Sequence, residues 1–164
     1  MKRLALLAVI VLIGPVATRP AFAGIADSPL PVLVAGKKTL HLYSLPYPVI
    51  SGSLGAFFTC TSADTAPVQV GVELFFPGGG APANDAVATS LSVAPGATVT
   101  FGTGGAAGIL IDSNLGGPFT TSARILATSK KLMCTAFVAD RGNDPPQTSW
   151  QLTIIKKVIQ KAAN

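Results

Sequence analysis

The sequence predicts an all-β protein, an antiparallel β-sandwich, and three observations carry that expectation. Roughly eight or nine short apolar or alternating segments recur, with turn residues between them about every ten residues, the punctuation of a sandwich. No internal stretch sustains a helical apolar period. Only 12% of the 164 residues are charged against 49% apolar, with 17 Gly and 13 Pro, which suits pleated strands joined by tight turns and disfavours disorder. A closed barrel is the second architecture compatible with the pattern. No fixed-period repeat points to a solenoid.

The chain opens on Lys2 and Arg3, continues in an unbroken apolar run over 4–13, and reaches Gly14 and Pro15. These are the charged start and apolar body of a secretory signal peptide. Ala21-Phe22-Ala23 offers a small-x-small cleavage site, so residues 1–23 are expected to be removed and Gly24 to begin the mature chain. The run is shorter than the roughly 20 apolar residues a spanning helix needs, and Arg19 blocks its extension. An uncleaved anchor is the alternative, and no cysteine follows the cleavage site to carry a lipid. Three of the 12 basic residues depart with 1–23 while all 7 acidic residues remain. The net charge of +5 therefore belongs partly to the targeting segment and implies no nucleic-acid field. What remains divides into an extended segment 24–37, one sandwich domain 38–158 and a basic tail 159–164, a length suited to a single core.

Along that domain, residues 39–45 alternate and stop before Pro46 and Pro48, and 54–61 follows the break at Ser51-Gly52-Ser53. The clearest strand is 68–76. There Val68, Val70, Val72, Leu74 and Phe76 alternate with Gln69, Gly71, Glu73 and Phe75, the period-two pattern of a half-buried strand. A Gly- and Pro-rich loop, 77–85, ends it. Residues 89–93 and 98–103 flank Ala94-Pro95-Gly96-Ala97, which reads as a type II turn, and are expected to form a hairpin. A glycine-rich link, 102–108, leads to a short strand 109–111, and 113–119 is irregular. Residues 122–128 and 132–139 are expected to pair across Ser129-Lys130-Lys131, and a last strand covers 150–155.

Cys60 and Cys134 both sit in apolar, alternating segments. In an oxidising compartment they are expected to form a disulfide joining two core strands. No C-x-x-C pair suggests a redox function. The stretch Ser90-Leu91-Ser92-Val93-Ala94-Pro95-Gly96-Ala97-Thr98-Val99-Thr100-Phe101, together with the two strand-borne cysteines, resembles the strand, Pro-Gly turn, strand unit of immunoglobulin-like and fibronectin-type domains in small secreted bacterial proteins. The resemblance implies the sandwich architecture alone and brings no activity with it. No Trp follows Cys60 on the next strand, and Leu132 stands two residues before Cys134 where an immunoglobulin domain carries Tyr.

Candidate chemistry is sparse. Gly102-Thr103-Gly104-Gly105-Ala106-Ala107 has the letters G-x-G-x-x-A after a strand, but the dinucleotide fingerprint needs a helix N-terminus behind it, and 109–111 reads as a strand. Asp140, Asn143 and Asp144 gather side-chain oxygens in one loop, where a calcium ion could find hard ligands. The same residue types bond the local backbone in turns, and that is their expected role. Ser53 lacks the spacing of a nucleophile elbow. His41, the sole histidine, alternates with Leu40 and Leu42 at an expected solvent-facing position and, beside two bridged cysteines, leaves no tetrahedral zinc set. Glu73 is the only glutamate, so paired carboxylates for hydrolysis would have to come from Asp85, Asp112, Asp140 and Asp144. No cofactor is expected.

At the C-terminus, Ile154, Ile155, Val158 and Ile159 could share one helical face beside Lys156, Lys157 and Lys161 and meet an anionic membrane. A terminal strand with a basic tail is the expected form, and no aromatics interleave with these lysines to stack bases. The expectation that emerges is a secreted or periplasmic, non-catalytic domain. It would bind or assemble at the cell envelope with a protein or glycan, through loops or sheet edges, with no nucleic-acid partner and no membrane span after cleavage. The alternative is a small hydrolase or carbohydrate-active domain using the loop carboxylates.

Overall fold

A computed structural model describes residues 25, 28–46, 52–116 and 122–156. The expected signal peptide 1–23 and basic tail 159–164 lie outside the described residues, as does the part beyond Lys156 of the stretch weighed as a membrane-binding helix. Ten strands and, among the described residues, no helix form two five-stranded sheets, so the chain is the expected β-sandwich. The first sheet runs β10 (Ile155–Lys156), β1 (Leu40–Leu45), β7 (Ser122–Ala127), β3 (Val68–Phe75), β4 (Leu91–Val93). The second runs β6 (Ser113–Asn114), β5 (Thr98–Gly102), β2 (Leu54–Ser62), β8 (Leu132–Asp140), β9 (Ser149–Gln151). Every pair is antiparallel except β5 with β6.

The period-two patterns place one apolar row of each strand between the sheets. Val68, Val70, Val72 and Leu74 of β3 and Ala123, Ile125 and Ala127 of β7 meet Ala56, Phe58 and Cys60 of β2 and Leu132, Ala136 and Val138 of β8 in one buried core. Tyr43 on β1 ties the layers at one side by donating its hydroxyl to the Leu132 carbonyl, 2.6 Å away on β8. The disulfide has formed. Cys60 and Cys134 face each other directly across β2 and β8, so the bridge lies within one sheet and closes a sequence separation of 74 residues. In the chain-entropy model a loop of that size contributes roughly 4 kcal/mol.

Both expected hairpins are corrected. Strand β4 pairs with β3 and β5 pairs with β2, so the Pro95-Gly96 turn carries the chain from one sheet to the other. Its local geometry is as expected: Gly96 takes φ 72° and the Ala97 N–H donates to the Ala94 carbonyl at 3.0 Å, a type II arrangement. Likewise β7 joins β1 and β3 while β8 joins β2 and β9, so residues 129–131 are a second crossing. Residues 109–111 form no strand, although Ile109 makes an isolated bridge to Ala106; the short strand is β6, within the stretch expected to be irregular. The expected last strand divides into β9 and β10, one in each sheet.

Strand β3 departs from the half-buried reading, because its outward residues are covered too. Gly71 lies so close under its cover that a Cβ there would stand 3.0 Å from the Ala86 carbonyl oxygen and 3.1 Å from Leu33 Cδ2. Next to it Glu73 is 3% exposed, directly opposite Arg124 of β7 at 1%, and the Arg124 Nε donates to the Glu73 carboxylate. The rest of the guanidinium is taken by the N-terminal segment: Nη1 donates to the carbonyls of Ile25 (3.2 Å) and Ser28 (3.1 Å), and Nη2 to that of Pro29 (3.1 Å). Its plane also lies 5.1 Å over the Phe75 ring. Removing one partner of a buried pair leaves an uncompensated charge, so Arg124→Met should cost about 3–5 kcal/mol, measured by urea denaturation. The double variant Arg124→Met with Glu73→Leu should cost less than Arg124→Met alone; a larger loss would refute this account of the pair.

Candidate functional site

Three of the four carboxylates singled out from the sequence, Asp85, Asp112 and Asp140, accept backbone N–H groups. Asp85 Oδ1 accepts the N–H groups of Val87 (2.9 Å) and Ala88 (3.0 Å), starting the tight turn over 85–90. Asp112 Oδ2 accepts the Thr100 N–H at 2.7 Å while the Asp112 N–H donates to the Thr100 carbonyl, so this residue stands where a further strand would pair with β5. Asn84 does the same for β3, its side-chain amide bonding the Val72 carbonyl and the Leu74 N–H at 2.8 Å each. Asp140 is bonded most heavily: Oδ1 accepts the N–H of Gly142 and both the N–H and side-chain amide of Asn143, and Oδ2 accepts the Gln147 N–H. The Asn143 amide, with the three backbone donors behind it, holds the Asp140 carboxyl below its ordinary range.

Asp144 sits apart from these bonds, its Oδ1 against Gly108. Among the described residues, no group of three His, Cys, Asp or Glu side chains comes together that could hold a metal ion. The loop 140–147 is instead tied to its neighbours by Arg141. Its Nη2 donates to the Gly52 carbonyl at 2.6 Å, and its backbone N–H bonds the Ser53 carbonyl at 2.7 Å. The glycine-rich link 102–108 is a loop in which Ala107 N–H donates to the Arg141 carbonyl, with no helix behind it. His41 Nε2 lies 2.9 Å from Ser44 Oγ on the same strand, and His41 is half-buried instead of facing solvent.

What the sequence reading did not single out is the outer face of the second sheet. Because Phe58 and Cys60 point into the core, Thr59 and Thr61 point away from it, and register sets Thr100 and Thr98 beside them on β5. Their hydroxyls pair across the strands, Thr61 with Thr98 at 2.8 Å and Thr59 with Thr100 at 3.0 Å. On the other flank Thr135 stands opposite Thr59 and Met133 opposite Thr61. Thr98 and Thr135 are exposed and Met133 is 62% exposed. No charged residue occupies an outward position of β5, β2, β8 or β9 on this face.

The face ends in a groove. Even-numbered residues of β8 turn their backbone groups away from β2, as the bond from Leu152 N–H to the Ala136 carbonyl (2.8 Å) shows. Beyond Leu152 the chain leaves β8 to join the other sheet as β10. Between the diverging segments lies an open groove of about 370 Å³ lined by Cys134, Thr135, Gln151, Leu152, Thr153 and Ile154. That volume falls in the range of small-ligand sites.

Fold and geometry together define a disulfide-bearing β-sandwich whose first sheet is covered over β3 and β7 and whose second sheet is open at the Thr98, Met133 and Thr135 end, while Gly55, Phe57 and Gly102 lie under Arg141 and Ile111. Comparison with protein-family models, curated proteins and solved structures returns no match, so function is read from these surfaces.

Three outcomes follow from the carboxylates. Asp64, at the opposite end of the sandwich, has its pKa lowered to about 2 by the Ser129 hydroxyl, the Thr65 N–H and Lys131. A depressed carboxylate contributes stability that is complete above its unfolded value and vanishes as pH falls through the folded one. The melting temperature should therefore drop between about pH 4 and pH 2, and Asp64→Asn should flatten that dependence. Asp140→Asn should raise amide exchange in 141–147. Since both Asp140 oxygens already accept N–H donors, millimolar calcium should leave the melting temperature unmoved.

Proposed function

We propose that this protein is a secreted or periplasmic, non-catalytic domain that binds or assembles at the cell envelope, presenting the threonine face of its second sheet. The observation that carries the reading is an asymmetry. The outer face of the first sheet is covered over β3 and β7 by Ile25, Ser28, Pro29, Leu33 and Ala86, whereas the second sheet leaves its Thr98, Met133 and Thr135 end open to a partner. A rigid, exposed, uncharged face on a sandwich is a recognition surface, and fold alone assigns it no chemistry. Supporting the location, both cysteines are bridged, as an oxidising compartment favours, and the N-terminal pattern reads as a secretory signal. The bonding of Asp85 and Asp140 within their own loops and of Asp112 to β5 favours binding over hydrolysis.

Fractionation of cells and medium, followed by native mass determination, tests this reading. The protein should recover with the envelope in a complex larger than the 16.6 kDa of the unprocessed chain, and Thr135→Arg, placing charge and bulk on the face, should release it. A soluble monomer in the medium, unchanged by Thr135→Arg, would overturn the proposal.

A further inference from the structure

Resting on that reading, we infer that the threonine face and its adjoining groove bind a neutral polysaccharide, an extended β-linked hexose polymer lying across the strands. Three features of the face select this ligand. The first is its repeat: neighbouring strands stand about 4.8 Å apart, so Thr100, Thr59 and Thr135 form a row of side chains at that interval across β5, β2 and β8. Successive sugars of an extended β-linked chain advance by a similar length, so each ring can meet one threonine. One register step past Leu152, which still bonds Ala136, Thr153 extends the row to the far wall of the groove. There Thr135, Gln151 and Thr153 supply hydroxyl and amide groups within a concavity.

The second feature is chemical. A threonine shows a hydroxyl and a methyl side by side, as a pyranose shows hydroxyls and C–H groups, and a hydroxyl both donates and accepts. The mutual bonds of Thr59 with Thr100 and Thr61 with Thr98 leave oxygen lone pairs for sugar hydroxyls. Exposed Met133 on one side of the row and half-buried Phe137, stacked on Phe57 at 5.2 Å, on the other offer apolar contact to the C–H edges.

The third is charge. No Lys, Arg, Asp or Glu stands at an outward position of these strands, and the two charges at the margins of the row are each engaged with backbone: Arg141, lying over Gly55, with the Gly52 and Thr103 carbonyls, and Asp112 with the Thr100 N–H. A neutral polymer is the partner whose charge the face matches.

The experiment is co-sedimentation of the processed protein with insoluble cellulose and chitin, and calorimetric titration with their soluble hexamers, with heparin as a polyanion control. Binding to at least one neutral polymer is expected, weakened by about tenfold or more in Thr135→Arg and unchanged in Lys38→Ser, an exposed site outside the face. The pair Thr59→Val with Thr100→Val keeps β-branched shape while removing two hydroxyls, and should weaken binding without lowering the melting temperature much. No sedimentation with either polymer, undiminished binding by Thr135→Arg, or preference for heparin would each overturn the assignment. If Thr135→Arg still releases the protein from the envelope while no neutral polymer binds, the ligand is wrong and the docking face stands. If the variant does neither, both fall.

Discussion

The burial of Arg124 is the constraint on which the arrangement of surfaces depends. A guanidinium at 1% exposure is tolerable only where its donors find acceptors, since an isolated buried charge costs far more than one domain's net stability. Here four hydrogen bonds do so, one to Glu73 across the ladder and three to carbonyls of residues 25–29. The N-terminal segment is thus a required part of the first sheet's outer layer. Once Arg124 has drawn it into place, Leu33 and Ala86 close over Gly71, and β3 and β7 are buried on both faces. The second sheet is covered only over Gly55, Phe57 and Gly102, by Arg141 and Ile111, and stays open at its Thr98, Met133 and Thr135 end.

The margins of both sheets are closed by different means. Terminal strands β4, β6, β9 and β10 are two or three residues long, too short to template another chain. Where β4 and β6 stop, the side chains of Asn84 and Asp112 take over the bonding of β3 and β5. Those polar side chains therefore do the work of backbone at the sheet margins. At β8 the margin stays open beside Cys134, because β9 ends and the chain leaves for β10. The groove is a direct consequence of that single crossing.

Much of this was legible in the sequence. Alternation located β1, β2, β3, β5, β7 and β8 closely, because burial on one face imposes period two on each strand independently of its neighbours. Sheet membership was not legible. A Pro-Gly turn has the same dihedrals whether its arms remain paired or separate into two layers, and only the distant partners β2 and β3 decide. The cover over β3 was hidden for a similar reason: Glu73 and Gly71 occupy outward positions by pattern, and their burial comes from distant residues, Leu33 upstream and Ala86 and Arg124 downstream. A faint signal did exist, in that the only glutamate and an arginine each sit at outward phase in apolar strands. The threonine face could have been read from Thr59-Cys60-Thr61 and Thr98-Val99-Thr100, whose hydroxyls must share the face opposite Cys60 and Val99. Their alignment across strands needed the register.

The disulfide then gains a role beyond stability. Cys60 lies between Thr59 and Thr61, and Cys134 between Met133 and Thr135, so the covalent bridge runs beneath the open face. A slip of one residue between β2 and β8 would turn every side chain on the shifted strand to the opposite face. The bridge forbids that slip at the strand pair where the row passes from Thr59 to Thr135. On the other flank the Thr61–Thr98 and Thr59–Thr100 bonds hold β5 to the same register. A surface fixed in this way loses little conformational freedom when a partner settles on it, and that saving is what lets a small, uncharged face, with few strong contacts to offer, hold a repetitive ligand.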